Sequence, residues 1–384
     1  MPVPKAWQER LATAREQRIR EQRWRCRLVN TRRWLDFAGN DYLGLAHDPR
    51  VQAAQAEGAR RFGAGAGASH LVSGHLDVHD ALEDALARWT GRERALLFST
   101  GYMANLGVVQ ALADSHTAIF HDRLNHASLL DGATLSGARS RRFHHRDRSD
   151  LERLLSRSTA THNLVVSDGV FSMDGDVADI AALGRLSQQY NAWLMIDDAH
   201  GLGVLGENGS GCVEGFSSET VPILVGTLGK ALGTAGAFVA GDAALIEHIT
   251  QFARSYVYTT AQPPSIAAST LAALTIVQHE PEHRQRLQQH ISYFRQQAEA
   301  LGLPLGNSHT PIQPLLLGNE LRTMTWATKL TELGIQVGAI RPPTVPKGAA
   351  RLRITLSARH TLSDIDRLLE GLETCLREDV VCPA

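Results

Sequence analysis

The sequence predicts an α/β protein: a large domain with a mostly parallel central sheet flanked by helices, plus a smaller α+β domain at the C-terminal end. Three observations lead there. From Trp34 onward, short apolar runs alternate with helix-like stretches and glycine-rich turns, the texture of βαβ units. The 384 residues exceed the roughly 250 to 300 at which a single core stops growing, so a large domain needs a smaller companion. After Gly302 the texture returns to strand-like segments closed by one amphipathic stretch.

Taken in order, residues 1–45 form an N-terminal segment whose first thirty or so residues read as a basic helical arm, with Arg15, Arg18, Arg20, Arg23, Arg25 and Arg27 crowded into it. Such an arm is either a solvated helix face or a means for one arginine to reach an acidic substrate tail. Residues 46–275 make the large domain. Its candidate strands are Ala95–Phe98, Ala118–Phe120, Asn163–Ser167, Trp193–Asp197, Ile223–Gly226 and Ala237–Ala240, and its candidate helices Val78–Thr90, Asn105–Ala113, Ile180–Tyr190 and Ala243–Ala253. Residues 276–384 make the small domain, with strands near Ile312–Leu317 and Arg351–Leu356 and a closing helix over Leu362–Arg377.

Composition narrows the function. Lysine and arginine total 39 against 40 acidic residues, so no general field favours nucleic acid or a membrane, and an anionic ligand must be met locally. The four cysteines, Cys26, Cys212, Cys375 and Cys382, show no CxxC spacing, which suggests neither a metal site nor a disulfide framework and fits a reducing cytosol. The charged start lacks the apolar stretch of a signal peptide, and no window has the uninterrupted apolar length of a membrane span. A cytoplasmic protein is expected.

Several apolar runs end in reactive groups. The run from Trp193 ends in Asp197, Asp198 and His200 before Gly201, at the strand end where open α/β sheets bind ligands; an aspartate there serves a helix cap, a Mg²⁺ ion or an organic cofactor. The run Gly226–Gly233 sets Lys230 among small residues and hydroxyls, surroundings in which a lysine loses basicity and becomes nucleophilic. A phosphate loop of the GxxxxGK[ST] type is excluded, because Leu224 and Ala231 stand where its first glycine and its hydroxyl belong. Phe98–Asn105 enters a helix, so the N–H groups of Gly101 and Tyr102 could cradle a phosphate, as could those of any strand-to-helix turn. Asp122–Ser128 offers His126, either an aromatic plate or a surface histidine, and Asp168–Gly175 offers Ser172. One chemistry unites these groups. A pyridine ring acts as an electron sink when a carboxylate keeps its nitrogen protonated, while a lysine meets its aldehyde and N–H and hydroxyl donors its phosphate.

The order of these motifs, with Asp122–Ser128, Asp168–Asp176, Asp197–Gly201 and Thr227–Lys230 in series, resembles the α-oxoamine synthase family of fold-type I pyridoxal-phosphate (PLP) enzymes, from about Trp7 to the last helix. The resemblance implies a PLP-dependent transferase in which Lys230 bonds the cofactor aldehyde, Asp197 pairs with the pyridine nitrogen, His200 contacts the ring oxygen and His126 stacks on the ring. Gly101, Tyr102, Ser172 and Thr227 would complete the cofactor site. Asn40 and Arg353 would hold an amino-acid carboxylate, with His126 also close to the substrate, and Thr344 and Arg341 would lie near the acyl chain. An ungapped match from Trp7 puts the family's N-terminal substrate arginine at Arg25. Asp168, Leu202 and Leu228 stand where Glu, Thr and Phe are frequent.

Through Gly39–Leu45 and Ala339–Pro346 the chain most resembles the branch that condenses L-alanine with a pimeloyl thioester, on CoA or a carrier protein, and this resemblance implies that Arg341 would serve a substrate with a distal carboxylate. The alternatives are the branch that uses glycine and acetyl-CoA, or a PLP-fold protein without catalysis. A homodimer is also implied, with Thr259 or Thr260 reaching the neighbour's cofactor. No metal is expected.

Overall fold

A computed structural model describes residues 4–21, 23–25, 27, 29 and 34–381; Cys26 and Cys382 fall outside the described residues. Among the described residues eleven strands follow in chain order: β1 (Leu35–Phe37), β2 (Arg94–Phe98), β3 (Thr117–Asp122), β4 (Arg139–Phe143), β5 (His162–Asp168), β6 (Ala192–Asp197), β7 (Ile223–Thr227), β8 (Ala237–Gly241), β9 (Ile312–Gly318), β10 (Ile335–Ile340) and β11 (Ala350–Thr355). Seven form the large sheet, in the order β2-β8-β7-β6-β5-β3-β4. All its pairings are parallel except those of β8, which runs antiparallel to both neighbours.

The central strands are apolar throughout because helices cover both faces of the sheet. Two hydrophobic clusters result, one on each side: Val108, Val109 and Ile249 belong to one, Leu151, Ile180 and Leu183 to the other. Helix starts follow local chemistry. Asp48 caps Arg50 N–H ahead of Pro49, Thr100 caps Met103 N–H, and Asp179 caps Ala182 N–H. The Thr100 cap explains why the helix expected from Asn105 begins at Gly101.

A second sheet, β1-β10-β11-β9, lies in the C-terminal part. Its edge strand β1 comes from the N-terminal segment and pairs in parallel with β10, Leu35 opposite Ile335. Helix Pro264–His279 runs through the position between residues 275 and 276, packing on helix Pro49–Phe62, and helix Glu282–Ala300 packs on the closing helix Leu362–Val381. Helix Lys5–Arg20 buries none of its residues against the rest of the chain.

Three strands escape the sequence reading. The exposed edge strand β4 has the sequence RSRRF, in which only Phe143 is buried, so it offers no apolar run. Strand β1 is three residues long, and β10 is only half-buried.

The turn after β7 fixes the lysine. Gly233 closes it, its N–H donating to Lys230 C=O at 2.9 Å with φ at 69°. A Cβ on Gly233 would lie 2.1 Å from Ala46 N and 2.5 Å from Leu45 C, so the turn is pressed against the N-terminal segment. Gly233→Ala is expected to lower stability by roughly 2 kcal/mol or more, combining left-handed strain with a backbone clash, and urea unfolding measures it.

Candidate active site

Strands β5, β6 and β7 end side by side, with Asp168 opposite Asp197 and Asp197 opposite Val225. Beyond these ends lies a cavity of about 180 Å³. Its walls include Gly101, Tyr102, His126, Ser172, Asp197, His200, Thr227 and Lys230, which come from five separate stretches of the chain.

The buried carboxylate of Asp197 is fixed on both oxygens. Oδ1 accepts from Ala199 N–H at 3.0 Å and Oδ2 from Asn105 Nδ2 at 2.6 Å. The same Asn105 amide donates to Ser128 Oγ at 2.8 Å, and that hydroxyl lies 2.7 Å from His126 Nδ1. Asp197 and His126 are thus coupled through two buried polar groups. Burial lowers the pKa of His126, partly offset by Asp197.

Nζ of Lys230 forms no hydrogen bond or ion pair among the described residues. Burial lowers its pKa, against the pull of Asp197 and Asp168, which makes its neutral, nucleophilic form more accessible than that of an exposed lysine. His200 is held neutral by burial and by the nearby cations Lys230 and Arg353. Its Nδ1 lies 2.6 Å from the Tyr42 hydroxyl. Burial raises that phenol to about 12, so it stays protonated at neutral pH.

The helix Gly101–Leu112 points its first turn at the same cavity. Thr100 Oγ1 satisfies Met103 N–H, and the preceding N–H groups of Gly101 and Tyr102 are ones a helix cannot pair internally. A Cβ on Gly101 would stand 2.6 Å from Thr227 Cγ2, so only glycine lets the helix start meet the end of β7 this closely. The donor pair, the Thr227 hydroxyl and the helix dipole form a cradle for an anion.

Arg353 on β11 lies outside the cavity lining and reaches it through Ser172, which belongs to that lining. Its Nε donates to Ser172 C=O at 2.6 Å and its Nη2 to Asn40 Oδ1 at 3.1 Å, and Asn40 Oδ1 also lies 3.2 Å from the Tyr42 hydroxyl. Asn40, Ser172, His200 and Arg353 therefore form one connected polar group. Asn40 and Arg353, like Arg25, Arg341 and Thr344, lie outside the cavity lining, and the last three lie together. Arg25 Nη2 donates to Thr344 Oγ1 at 3.2 Å, and Arg341 Nη2 to Trp24 C=O at 3.4 Å.

Asn105, Ser128 and Tyr42 were given no role by the sequence reading, although each sits inside a stretch it singled out. The contacts that join them to Asp197 and His200 span 23 to 158 residues of sequence, so nothing local marks them.

Asp168 carries a testable consequence. It accepts His126 N–H at 2.8 Å, and burial, then the charge of Asp197, raise its pKa well above the carboxylate range. Its folded pKa exceeds its unfolded one, so the stability of the acid form is fully present below about pH 4 and is lost as pH rises through the folded pKa. Asp168→Asn, which can still accept that N–H, should gain on the wild type as pH rises above about 4, by up to about 1.4 kcal/mol per pH unit until Asp168 ionises. Urea midpoints measured across that range test the sign.

Comparison with known proteins agrees with this arrangement. Residues 32–372 match the model of the aminotransferase class I and II family. The chain is 65% identical to 8-amino-7-oxononanoate synthase of Chromohalobacter salexigens over 97% of its own length and 98% of that protein's. It is 53% identical to the 8-amino-7-oxononanoate synthase of Cellvibrio japonicus, covering 96% of each chain. Among solved structures, a Sphingomonas wittichii serine palmitoyltransferase superimposes with a TM-score of 0.87 at 33% identity, covering 91% of this chain and 88% of that one. The 8-amino-7-oxononanoate synthase of Francisella tularensis superimposes at 0.78 and 33% identity, covering 90% and 99%. A serine palmitoyltransferase from S. paucimobilis, 31% identical with a TM-score of 0.87 over 91% of this chain and 88% of that one, was solved with a bound PLP–myriocin aldimine. The mostly parallel sheet, the flanking helices and these relatives together show that the chain belongs to the aminotransferase class I and II family, within its 8-amino-7-oxononanoate synthase branch.

Proposed function

We propose that the chain condenses L-alanine with a pimeloyl thioester, on CoA or a carrier protein, with PLP held in the cavity by Lys230. One observation carries the reading: a buried amine free of hydrogen bonds shares a small cavity with a fixed carboxylate and an anion cradle. The donor set fits PLP group by group. Lys230 would meet the aldehyde, Asp197 the pyridine nitrogen, His126 the ring face, His200 and Ser172 the ring's polar edge, and Gly101, Tyr102 and Thr227 the phosphate.

When bound, PLP supplies an aldehyde that bonds amines and a pyridine ring that takes up the electron pair freed at the alanine Cα. Lys230, its basicity lowered by burial, moves the proton at Cα. Asp197, with both oxygens already oriented, holds a proton on the ring nitrogen throughout. Arg353 and Asn40 grip the alanine carboxylate, and Arg25, Arg341 and Thr344 receive the distal carboxylate of the pimeloyl chain. The bond between Cα and the acyl carbon forms as the C–S bond breaks and the thiol leaves. The alanine carboxyl departs as CO₂, and a proton takes its place at Cα.

Two further features belong to the proposal. The exposed Leu71, Val72 and Tyr258 are brought together by the Ala261 N–H to Ala68 C=O bond and by His70 stacked on Tyr256, which supports a homodimer through this face, with Thr259 or Thr260 near the neighbour's site. No helix among the described residues is long and apolar enough to cross a membrane, in keeping with a cytoplasmic location.

Thiol release by the PLP-loaded enzyme should be faster with L-alanine and pimeloyl-CoA than with glycine and acetyl-CoA; the reverse preference would move the protein to the sister reaction. Borohydride should fix PLP on wild type but not on Lys230→Ala, whose turnover should fall at least about 10³-fold. Arg353→Lys, which loses the planar fork, should raise the KM for alanine about tenfold while PLP remains trapped.

A further inference from the structure

His145 lies outside the cavity lining yet bridges two of the segments that build it. It directly follows His144, just beyond β4, with Nδ1 2.9 Å from Asp122 Oδ1 and Nε2 2.7 Å from Asp176 Oδ2. Asp122 ends β3. Its carboxylate also accepts Leu124 N–H at 2.8 Å and Arg146 N–H at 2.9 Å, and its C=O accepts Asn125 N–H at 3.2 Å, so it shapes the turn into His126. Asp176 closes a tight turn in which Phe171 N–H donates to Asp176 C=O at 3.0 Å and Gly175 N–H to Phe171 C=O at 2.8 Å. Ser172 sits in that turn, and its carbonyl accepts Arg353. The edge of the imidazole also packs on Phe171, with ring centroids 4.4 Å apart and an interplanar angle of 87°.

The geometry states the charge. A neutral imidazole has one N–H and one lone pair, so one of the two carboxylates would face a lone pair at hydrogen-bond distance. Both contacts are attractive only for the imidazolium. Burial alone would lower the pKa of His145, but the hydrogen bonds and charges of Asp122 and Asp176 outweigh it and hold it at about 9. The other charged groups nearby are Arg146, whose Nη1 lies 3.2 Å from Asp176 Oδ2, and Asp147, Arg148 and Asp179 around the adjoining crevice. Arg146 shares Asp176 but contacts Asp122 only through its backbone N–H, so it cannot replace the bridge.

We propose that His145 is a positioning residue, a cationic staple joining the turn that carries His126 to the turn that carries Ser172 and anchors Arg353, so that it sets the spacing of the cavity's walls. The staple rests on the reading of the cavity as a PLP site, which borohydride trapping on wild-type Lys230 checks separately.

The test uses the PLP-loaded enzyme and two variants, His145→Gln, which cannot donate to both carboxylates, and Asp176→Asn, which weakens the staple from its other end. Both should still fix PLP on Lys230 with borohydride. Both should lose more than about half of the visible circular dichroism of the bound cofactor and raise the KM for alanine about tenfold, with a smaller change in kcat. The staple is charged below the folded pKa and discharged above it. The ratio of the His145→Gln KM to the wild-type KM should therefore hold steady from pH 7 to 8 and shrink toward one as pH passes about 9. If His145→Gln fails to fold, Asp176→Asn alone decides. Dichroism and KM within twofold of wild type in the folded variants, whatever happens to the melting temperature, would overturn the proposal; so would a KM ratio independent of pH between 7 and 10.

Discussion

The structure depends on keeping three aspartates and a lysine largely out of water at one edge of a sheet. Unpaired ions there would be strongly destabilising, and the fold answers with fixed donors to the aspartates and with a lowered pKa for the lysine. Asp168 takes the N–H of His126, Asp197 those of Ala199 and the Asn105 amide, and Asp198 that of Cys212 at 2.7 Å. Asp198 is the most enclosed, with burial raising it to about 7. Cβ atoms on Gly169, Gly201 and Gly211 would stand 2.8, 2.1 and 1.9 Å from its carboxylate oxygens, so Gly169 and Gly201 make room for a side chain, and Gly211, with φ at 94°, serves a turn as well. The parallel register of β5 against β6 brings these acids together, and the turn after β7 places the lysine across from them.

The large sheet alone would leave this edge open. Arg353 on the small sheet and Asn40 and Tyr42 on the N-terminal segment close it, tied to Ser172 and His200 by direct hydrogen bonds. Ser357 Oγ adds a bond to Asp41 C=O at 2.7 Å, and Ala358 N–H one to Tyr42 C=O at 2.8 Å. The polar wall of the cavity therefore also joins the first and last parts of the chain, so binding there and holding the molecule together use some of the same atoms.

Much of this was legible in the sequence because buried parallel strands announce themselves as apolar runs, and because ligands gather where such runs end. Asp197, His200 and Lys230 stand out as polar residues at the ends of apolar runs, and the structure brings them into one cavity with Gly101, Tyr102, His126, Ser172 and Thr227. What stayed hidden has a common cause. Strand β4 is held by pairing with β3 and not by its own side chains, which are mostly charged and exposed. Asn105 and Ser128 matter through each other and through Asp197, a relation that exists only after β3, β5 and β6 are side by side. The meeting of Arg25 with Thr344, likewise, crosses almost the whole chain.

Strand β1 carries a consequence for how the protein is made. It is synthesised before the large domain, yet its only partner strand among the described residues, β10, emerges near the end of synthesis. On a ribosome, the N-terminal segment must wait with unpaired backbone while the seven-stranded sheet assembles beside it. The Asn40 side of the polar wall is then sealed last, when β10 and β11 arrive to meet residues translated at the outset. Closure of that wall is thus among the final events of folding, and a chain truncated before β10 would hold the lysine and the acids but lack Arg353.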